Sequence, residues 1–496
     1  MKIWIRIRNP SGLNHLVIRA TLNFSHNFIC LHMKKISFFL CLVISFSHAF
    51  ADVRLPAVIG DNMILQQQAS VALWGWSDAA EKIMITTSWD NKTDSVVGSR
   101  DAKWKIMVQT PVAGGPFTIS IKGHGKAIVI NNVMIGEVWV CSGQSNMDFN
   151  SFYAGSKDIK PEFKNAPNNN IHFFLETRAT SLYPQDDCKG QWTVCDSNTL
   201  KTFSEVAYFF AKRLNKELNV PVGLIEAAWG GTPAEVWTPA NAVNEDDTLR
   251  ESAHKQNPAN WWPYQPGYTY NAMISPVTNY NIAGALWYQG EGNTVAPNSY
   301  ARLLTTMIKS WRNAWAKDFP FYYVQIGPFT YGGNSGSIVQ EQQSKVQSLE
   351  NTGMVVITDL VPDTTNIHPP LKKEVGERLS NWALAQTYHK AGIAYSSPMY
   401  KNLEVKGDKA TIDFNFANDG LMVKGSNISP LLIAGSDKVF YPAEAKISGS
   451  KLIVSSEKVK EPVAVRFAFS SAAVGNLFSK NGLPVAPFRT DNWKVN

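Results

Sequence analysis

Cysteine is scarce. The chain has five in 496 residues, and Cys30 and Cys41 fall within the first 51, so the body of the protein is not a scaffold held together by disulfides. No stretch beyond residue 51 reaches the roughly 18 uninterrupted apolar residues of a membrane helix. An excess of one charge is also missing from most of the chain. The formal net charge of +7 comes from 47 Lys and Arg against 40 Asp and Glu, yet residues 1–51 hold six of the basic side chains and none of the acidic ones. Subtracting those six leaves 41 against 40, a net of +1. No basic block remains to neutralise a phosphate backbone, which argues against nucleic acid as a partner. A His-x-x-x-His pattern and cysteine pairs at ligand spacing are absent too, so neither a metal nor another cofactor is expected. With 44% hydrophobic and 18% charged residues, the chain is globular, and its length suits two or three units.

What residues 1–51 do contain is an address. Met33-Lys34-Lys35 precedes an apolar run over 36–47 and then Ala49-Phe50-Ala51, the layout of a secretory signal peptide with cleavage after Ala51. The protein is therefore expected in the periplasm or outside the cell. Residues 1–32 have no purpose in front of a complete signal, so they are expected to be a non-native upstream extension, with translation starting at Met33. After cleavage three cysteines remain. Cys188 and Cys195 could close a short disulfide loop across Gly190 or stay as free thiols, and Cys141 lies in an apolar run as a small core residue.

Beyond residue 51 the pattern changes twice. Over 52–130, alternating stretches at 70–76, 82–89, 104–109 and 117–122 predict antiparallel strands of a small sandwich. Over 131–395, continuously apolar runs at 135–141, 222–229, 282–288, 319–326 and 354–358 alternate with helical segments at 204–218, 299–315 and 371–389. That is the mark of a parallel sheet covered on both faces. Over 396–496 the strand pattern returns, at 410–416, 451–455 and 463–469. There is no internal repeat.

In a doubly wound sheet the chemistry collects at the carboxyl ends of the strands, and four loops lie there. Gly143-Gln144-Ser145-Asn146-Met147 presents a serine on a turn, where its hydroxyl can attack and its own N–H can stabilise an oxyanion. Trp229-Gly230-Gly231-Thr232 lets backbone N–H groups approach a ligand. Trp287-Tyr288-Gln289-Gly290-Glu291 offers the Gln289 amide as a further oxyanion donor and Glu291 as a carboxylate able to orient a histidine. The fourth runs from Asp359 to Ile367-His368-Pro369. Of the five histidines beyond residue 51 (His124, His172, His254, His368 and His389), only His368 sits in a loop at a strand end, and it is the candidate base.

These blocks, in this order, resemble the SGNH hydrolases, and within them the sialate O-acetylesterase-like carbohydrate acetylesterases. The stretches 203–210 and 482–491 are similar to the same branch. The resemblance covers essentially all of 52–496. It implies a three-layer α/β/α, flavodoxin-like hydrolase domain with a parallel sheet, flanked by N- and C-terminal β-sandwich-type regions. It also implies metal-free removal of O-acetyl groups from sugars. Ser145 would be the nucleophile, His368 the general base and acid, and the N–H groups of Ser145 and Gly230 with the Gln289 side chain the oxyanion donors. The superfamily's Asp three residues before the histidine is replaced by Thr365. The orienting group is then Glu291, Asp363 or Asp359, in that order, or a backbone carbonyl.

On this reading His368 takes the Ser145 proton, the serine attacks the acetyl carbonyl, and water releases acetate. Trp261-Trp262-Pro263-Tyr264, in a long polar connector, is a candidate substrate-binding segment. O-acetylated sialic acids are the expected substrates. Acetylated plant or microbial polysaccharides such as xylan or xyloglucan would use the same loops, and a non-catalytic carbohydrate-binding protein is the third reading.

Overall fold

The computed structural model describes residues 52–495, so the expected signal peptide and the expected extension before it lie outside the described residues. Seven strands form the sheet that carries the site: β1 (Ile128–Gly143), β2 (Asn168–Leu175), β3 (Trp192–Cys195), β4 (Val222–Ala228), β5 (Gly284–Tyr288), β6 (Phe321–Val324) and β7 (Thr352–Val355). Their spatial order is β7-β6-β5-β1-β4-β2-β3. All neighbours are parallel except the β2–β3 pair at one edge. This is the expected doubly wound sheet, and β1 lies in its middle with β4 on one side and β5 on the other. The loops after these three strands therefore open into the same space.

Helices cover both faces. The helix α1 (Glu205–Leu218) starts where the Ser204 hydroxyl accepts from the Ala207 N–H, and it stops at Asn219, whose left-handed backbone ends the helical run. With α4 (Lys372–Trp382) it buries Phe209, Phe210 and Trp382 against one face. On the other face α2 (Tyr300–Trp315) and α3 (Ser335–Val346) pack with Trp237, Trp287 and Trp311. Helix α4 ends earlier than expected, continuing as a π turn over Ala383–Thr387. The strand pair β2 and β3 and the helix α3 were not anticipated.

The first region is not a separate bead. The boundary expected at 130/131 falls inside β1, a 16-residue strand that pairs with Gly114–Lys122 at its start and with β4 and β5 at its end. One apolar core runs through Ile64, Val71, Ile85 and Ile119 into Trp287 and Trp311. The C-terminal region has a core of its own, built from Ile412, Ile433, Leu452, Val465 and Phe467, between antiparallel four-stranded sheets. It is fastened to α3 by the Arg489 guanidinium, which donates twice to Glu341 at 2.9 Å each. Cys141, Cys188 and Cys195 are all free, so the possible Cys188–Cys195 disulfide does not form. Among the described residues no helix is long and apolar enough to cross a membrane.

Candidate active site

The serine turn is fixed by its neighbours. Gly143 has φ +140, and a Cβ there would lie 2.2 Å from the Tyr288 carbonyl oxygen, so β1 and β5 can approach this closely only with glycine. Gln144 donates its N–H to Tyr288 O at 3.1 Å, and its side-chain oxygen accepts from the Gly292 N–H at 3.1 Å. The serine block and the Gln-Gly-Glu block are thereby tied into one unit. Ser145, next along, is only half-buried.

His368 reaches Ser145 from the loop before α4: its Nε2 lies 2.8 Å from the serine Oγ. That is the separation a base needs to take the hydroxyl proton. Burial first, and the positive charge of Lys372 second, push the imidazole pKa down to about 4. The ring is therefore neutral at ordinary pH, and in the tautomer with its proton on Nδ1 its Nε2 can accept from the serine hydroxyl. Gly230 supports the same centre, since a Cβ placed on it would sit 3.4 Å from the Ser145 Cβ. Among the described residues the N–H groups of Ser145 and Gly230 donate to no protein acceptor. Two unengaged donors beside a serine hydroxyl are the arrangement that an oxyanion site requires.

The other expected participants are placed differently. Gln289 is fully buried, and its amide donates to Thr232 O at 3.1 Å and Asn293 Oδ1 at 2.8 Å while its oxygen accepts from the Tyr300 hydroxyl at 2.8 Å. Its N–H groups are spent on the loop, which corrects its expected part as an oxyanion donor. Glu291 does not meet His368 either. Its Oε1 accepts from the Asn146 amide at 2.6 Å, and its Oε2 is buried without a partner. Burial raises its pKa. Asp363 is exposed and accepts at its Oδ1 from the Thr365 N–H and hydroxyl at 2.8 and 2.7 Å. These bonds hold its pKa down. Asp359 is held by the Arg378 fork at 2.8 and 2.6 Å. Among the described residues no carboxylate lies within ion-pair distance of His368, and no backbone carbonyl accepts from its Nδ1. The centre is a Ser–His pair.

Several contributors were not foreseen. Asn146 donates to Glu291 and also to Ile367 O at 3.1 Å, and accepts from the fully buried Lys372 ammonium at 2.6 Å. The Tyr153 ring packs edge-on to His368 at 5.3 Å, and its hydroxyl donates to Asp148 at 3.0 Å. Asp148 also holds the half-exposed Arg178. The one sequence signal for Lys372 was its place four residues after His368, just inside a helix start. At the rim, Trp262 lies so close to Gly231 (φ +83) that a Cβ there would be 2.3 Å from the indole. Trp261 is 69% exposed, and its carbonyl accepts from the Trp229 indole N–H at 3.0 Å. The tryptophan segment thus borders the glycine pair beside the serine. Asp78, Glu81 and His124 form a group with metal-ligand spacing among the described residues, but it lies in the first β region and includes none of these side chains.

The sequence profile of the family described as "Carbohydrate esterase, sialic acid-specific acetylesterase" matches residues 135–385. Among curated proteins, the chain is similar to the sialate O-acetylesterase of Pongo abelii, with 24% identity over 469 residues covering 84% of this chain and 88% of that protein. For the sialate O-acetylesterase of Rattus norvegicus the figures are 26% over 419 residues, 71% and 77%. Among solved structures, a carbohydrate acetylesterase from Xanthomonas citri superposes with a TM-score of 0.81 at 32% identity, covering 89% of this chain and all of that one (100%).

Proposed function

The chain belongs to the carbohydrate esterase family of sialic acid-specific acetylesterases and is a carboxylic ester hydrolase, and on that premise we propose that it removes acetyl groups from the hydroxyls of sialic acids outside the cytoplasm. The observation that carries the chemistry is the 2.8 Å contact between His368 Nε2 and Ser145 Oγ, set beside two unengaged backbone donors. In the proposed cycle His368 takes the Ser145 proton as the oxygen attacks the acetyl carbonyl. The N–H groups of Ser145 and Gly230 receive the oxyanion. The imidazolium then protonates the departing sugar oxygen, leaving an acetyl-serine and a neutral His368. A water molecule, deprotonated by the same ring, hydrolyses that ester to acetate.

A polysaccharide substrate is the second reading, and two observations favour it. The Xanthomonas citri protein, at 32% identity, carries the broader description of carbohydrate acetylesterase. Trp261 offers an exposed indole beside the glycine pair, the kind of face on which a sugar chain stacks. Acetate release from O-acetylated sialic acids, acetylated xylan and acetylated xyloglucan decides between the two, with Ser145→Ala as the blank. Release from the sialic acids alone supports the first reading, and release from the polymers alone replaces it. Export rests on the leader sequence. Fractionation of cells and sequencing of the mature N-terminus test it, with residue 52 expected first.

A further inference from the structure

Among the described residues the Ser145–His368 pair has no orienting carboxylate, yet a buried lysine and a buried glutamate meet through one amide beside it. Lys372, the first residue of α4, is fully buried. Its ammonium donates to Asn146 Oδ1 at 2.6 Å and lies over the rings of Phe149 and Tyr288, 4.6 and 5.1 Å from their centroids. Asn146 passes the connection on through its amide nitrogen to Glu291 Oε1 at 2.6 Å and Ile367 O at 3.1 Å. Asn146 follows the nucleophile in sequence and Ile367 precedes the base. One buried amide therefore fixes both partners of the pair, and Lys372 and Glu291 hold it from either side.

We infer that Lys372 is a positioning residue of this esterase: acting through Asn146 and balanced by Glu291, it holds the Ser145 and His368 loops in register and supplies a positive charge beside the imidazole. A buried ammonium with one hydrogen-bond partner is costly to retain for packing alone, since an apolar side chain of its size would fill the same space. Its charge also bears on the base, because a cation near an imidazole disfavours the imidazolium. The charged groups facing Lys372 are Glu291, Glu205 and Asp158. His368 faces Lys372, the Ser145 hydroxyl and the rings of Tyr153 and Phe149, with Asp148 behind Tyr153. Lys372 is the charge among these that acts on His368, and on the acid side of neutrality it is protonated, burial having lowered its pKa only to about 7.

The inference rests on Ser145 and His368 being nucleophile and base, and its test keeps the two apart. The pH profile of kcat/KM on a soluble aryl acetate is measured for the wild type, Lys372→Met and Lys372→Arg. In Lys372→Met the acid limb, which reports protonation of His368, should move up by about one pH unit. The same variant should lose about tenfold in kcat with KM changed less than about twofold. Lys372→Arg keeps the charge and should leave the limb in place even where kcat falls. NMR titration of the His368 ring in the Ser145→Ala background, with and without Lys372→Met, should show the same displacement without turnover. A folded Lys372→Met enzyme with an unmoved limb, or with wild-type kcat, overturns the inference. If methionine at 372 prevents folding, Asn146→Leu decides, because it cuts the bridge and leaves the charge: about tenfold lower kcat at unchanged KM is expected, and wild-type kcat overturns the inference. Full activity of Ser145→Ala would instead refute the assignment of the nucleophile.

Discussion

Beneath the Ser145–His368 pair the site is buried and polar, and around it the site is open and aromatic. In the lower layer Gln289, Asn146, Asn293 and Lys372 are fully or almost fully buried, and the amides exchange hydrogen bonds with one another and with the loops they brace. Around the rim Trp261 is exposed, and the Arg178 guanidinium and the Tyr153 hydroxyl both donate to Asp148. Buried amides that are paired with one another cannot adjust without leaving a donor or acceptor unpaired, so this layer fixes geometry. An exposed rim can change side chains at little cost to folding. On the proposed reading the two layers divide the work: the floor sets how an ester is cleaved, and the rim sets which sugar brings it.

The division is sharpened most by removing the proposed nucleophile, which stands between the layers. Ser145→Ala should lower kcat by at least about a thousandfold on every substrate while the melting temperature stays at the wild-type value, because the hydroxyl has no partner except His368. Kinetics on an aryl acetate with a thermal melt alongside checks both halves.

Gln289→Ala tests whether the floor is structural. The substitution leaves the Thr232 carbonyl without its amide donor and takes one hydrogen bond each from the Tyr300 hydroxyl and Asn293 Oδ1, which keep the Gln289 carbonyl and the Ala234 N–H, and should destabilise the protein by about 1–3 kcal/mol. Urea unfolding measures this. An oxyanion donor would give the reverse result, with kcat down about a hundredfold or more and stability nearly unchanged.

At the rim the effects should be smaller and substrate-dependent. Trp261→Ala should raise KM for the natural acetylated sugar by about three- to tenfold, within the range for losing one aromatic contact, with kcat nearly constant. The same variant should treat a small aryl acetate as the wild type does. An equal loss on both substrates would break the proposed division.

The contrast also shows what was legible in the sequence. Strand ends could be read from apolar runs, which placed Ser145, Gly230 and His368 at the ends of parallel strands, and the structure brings all three together. Edge strands β2 and β3 escaped because Asn168–Leu175 begins with three asparagines and Trp192–Cys195 is only four residues long. The floor was illegible for a different reason. Gln289 and Glu291 are on the correct loop, but whether an amide or a carboxylate turns toward the reacting atoms or back into its own loop depends on partners far away in sequence, such as Asn293 with Glu235 and Asn146 with Lys372. Residue type and spacing do not encode that direction.

The smallest effect is the most informative about the missing acid. Asp363 lies five residues before His368 and, by sequence, could fold back to orient it. In the structure its Oδ1 takes two hydrogen bonds from Thr365 instead, and its carbonyl accepts from the Asn366 N–H, so the carboxylate shapes the turn that leads toward His368. The side chain is in water, where a charge acts weakly on a neighbour. Asp363→Asn retains an oxygen able to accept from Thr365, and so the turn should survive. Its kcat should stay within about twofold of wild type, where loss of a true orienting acid costs on the order of ten-thousandfold. The acid limb of the pH profile should not move either, since the forces holding the His368 pKa near 4 are burial and the Lys372 charge, to which Asp363 adds nothing. A hundredfold fall in kcat for Asp363→Asn, measured on the aryl acetate, would restore the carboxylate to the catalytic pair and remove the reason for assigning that role to the floor.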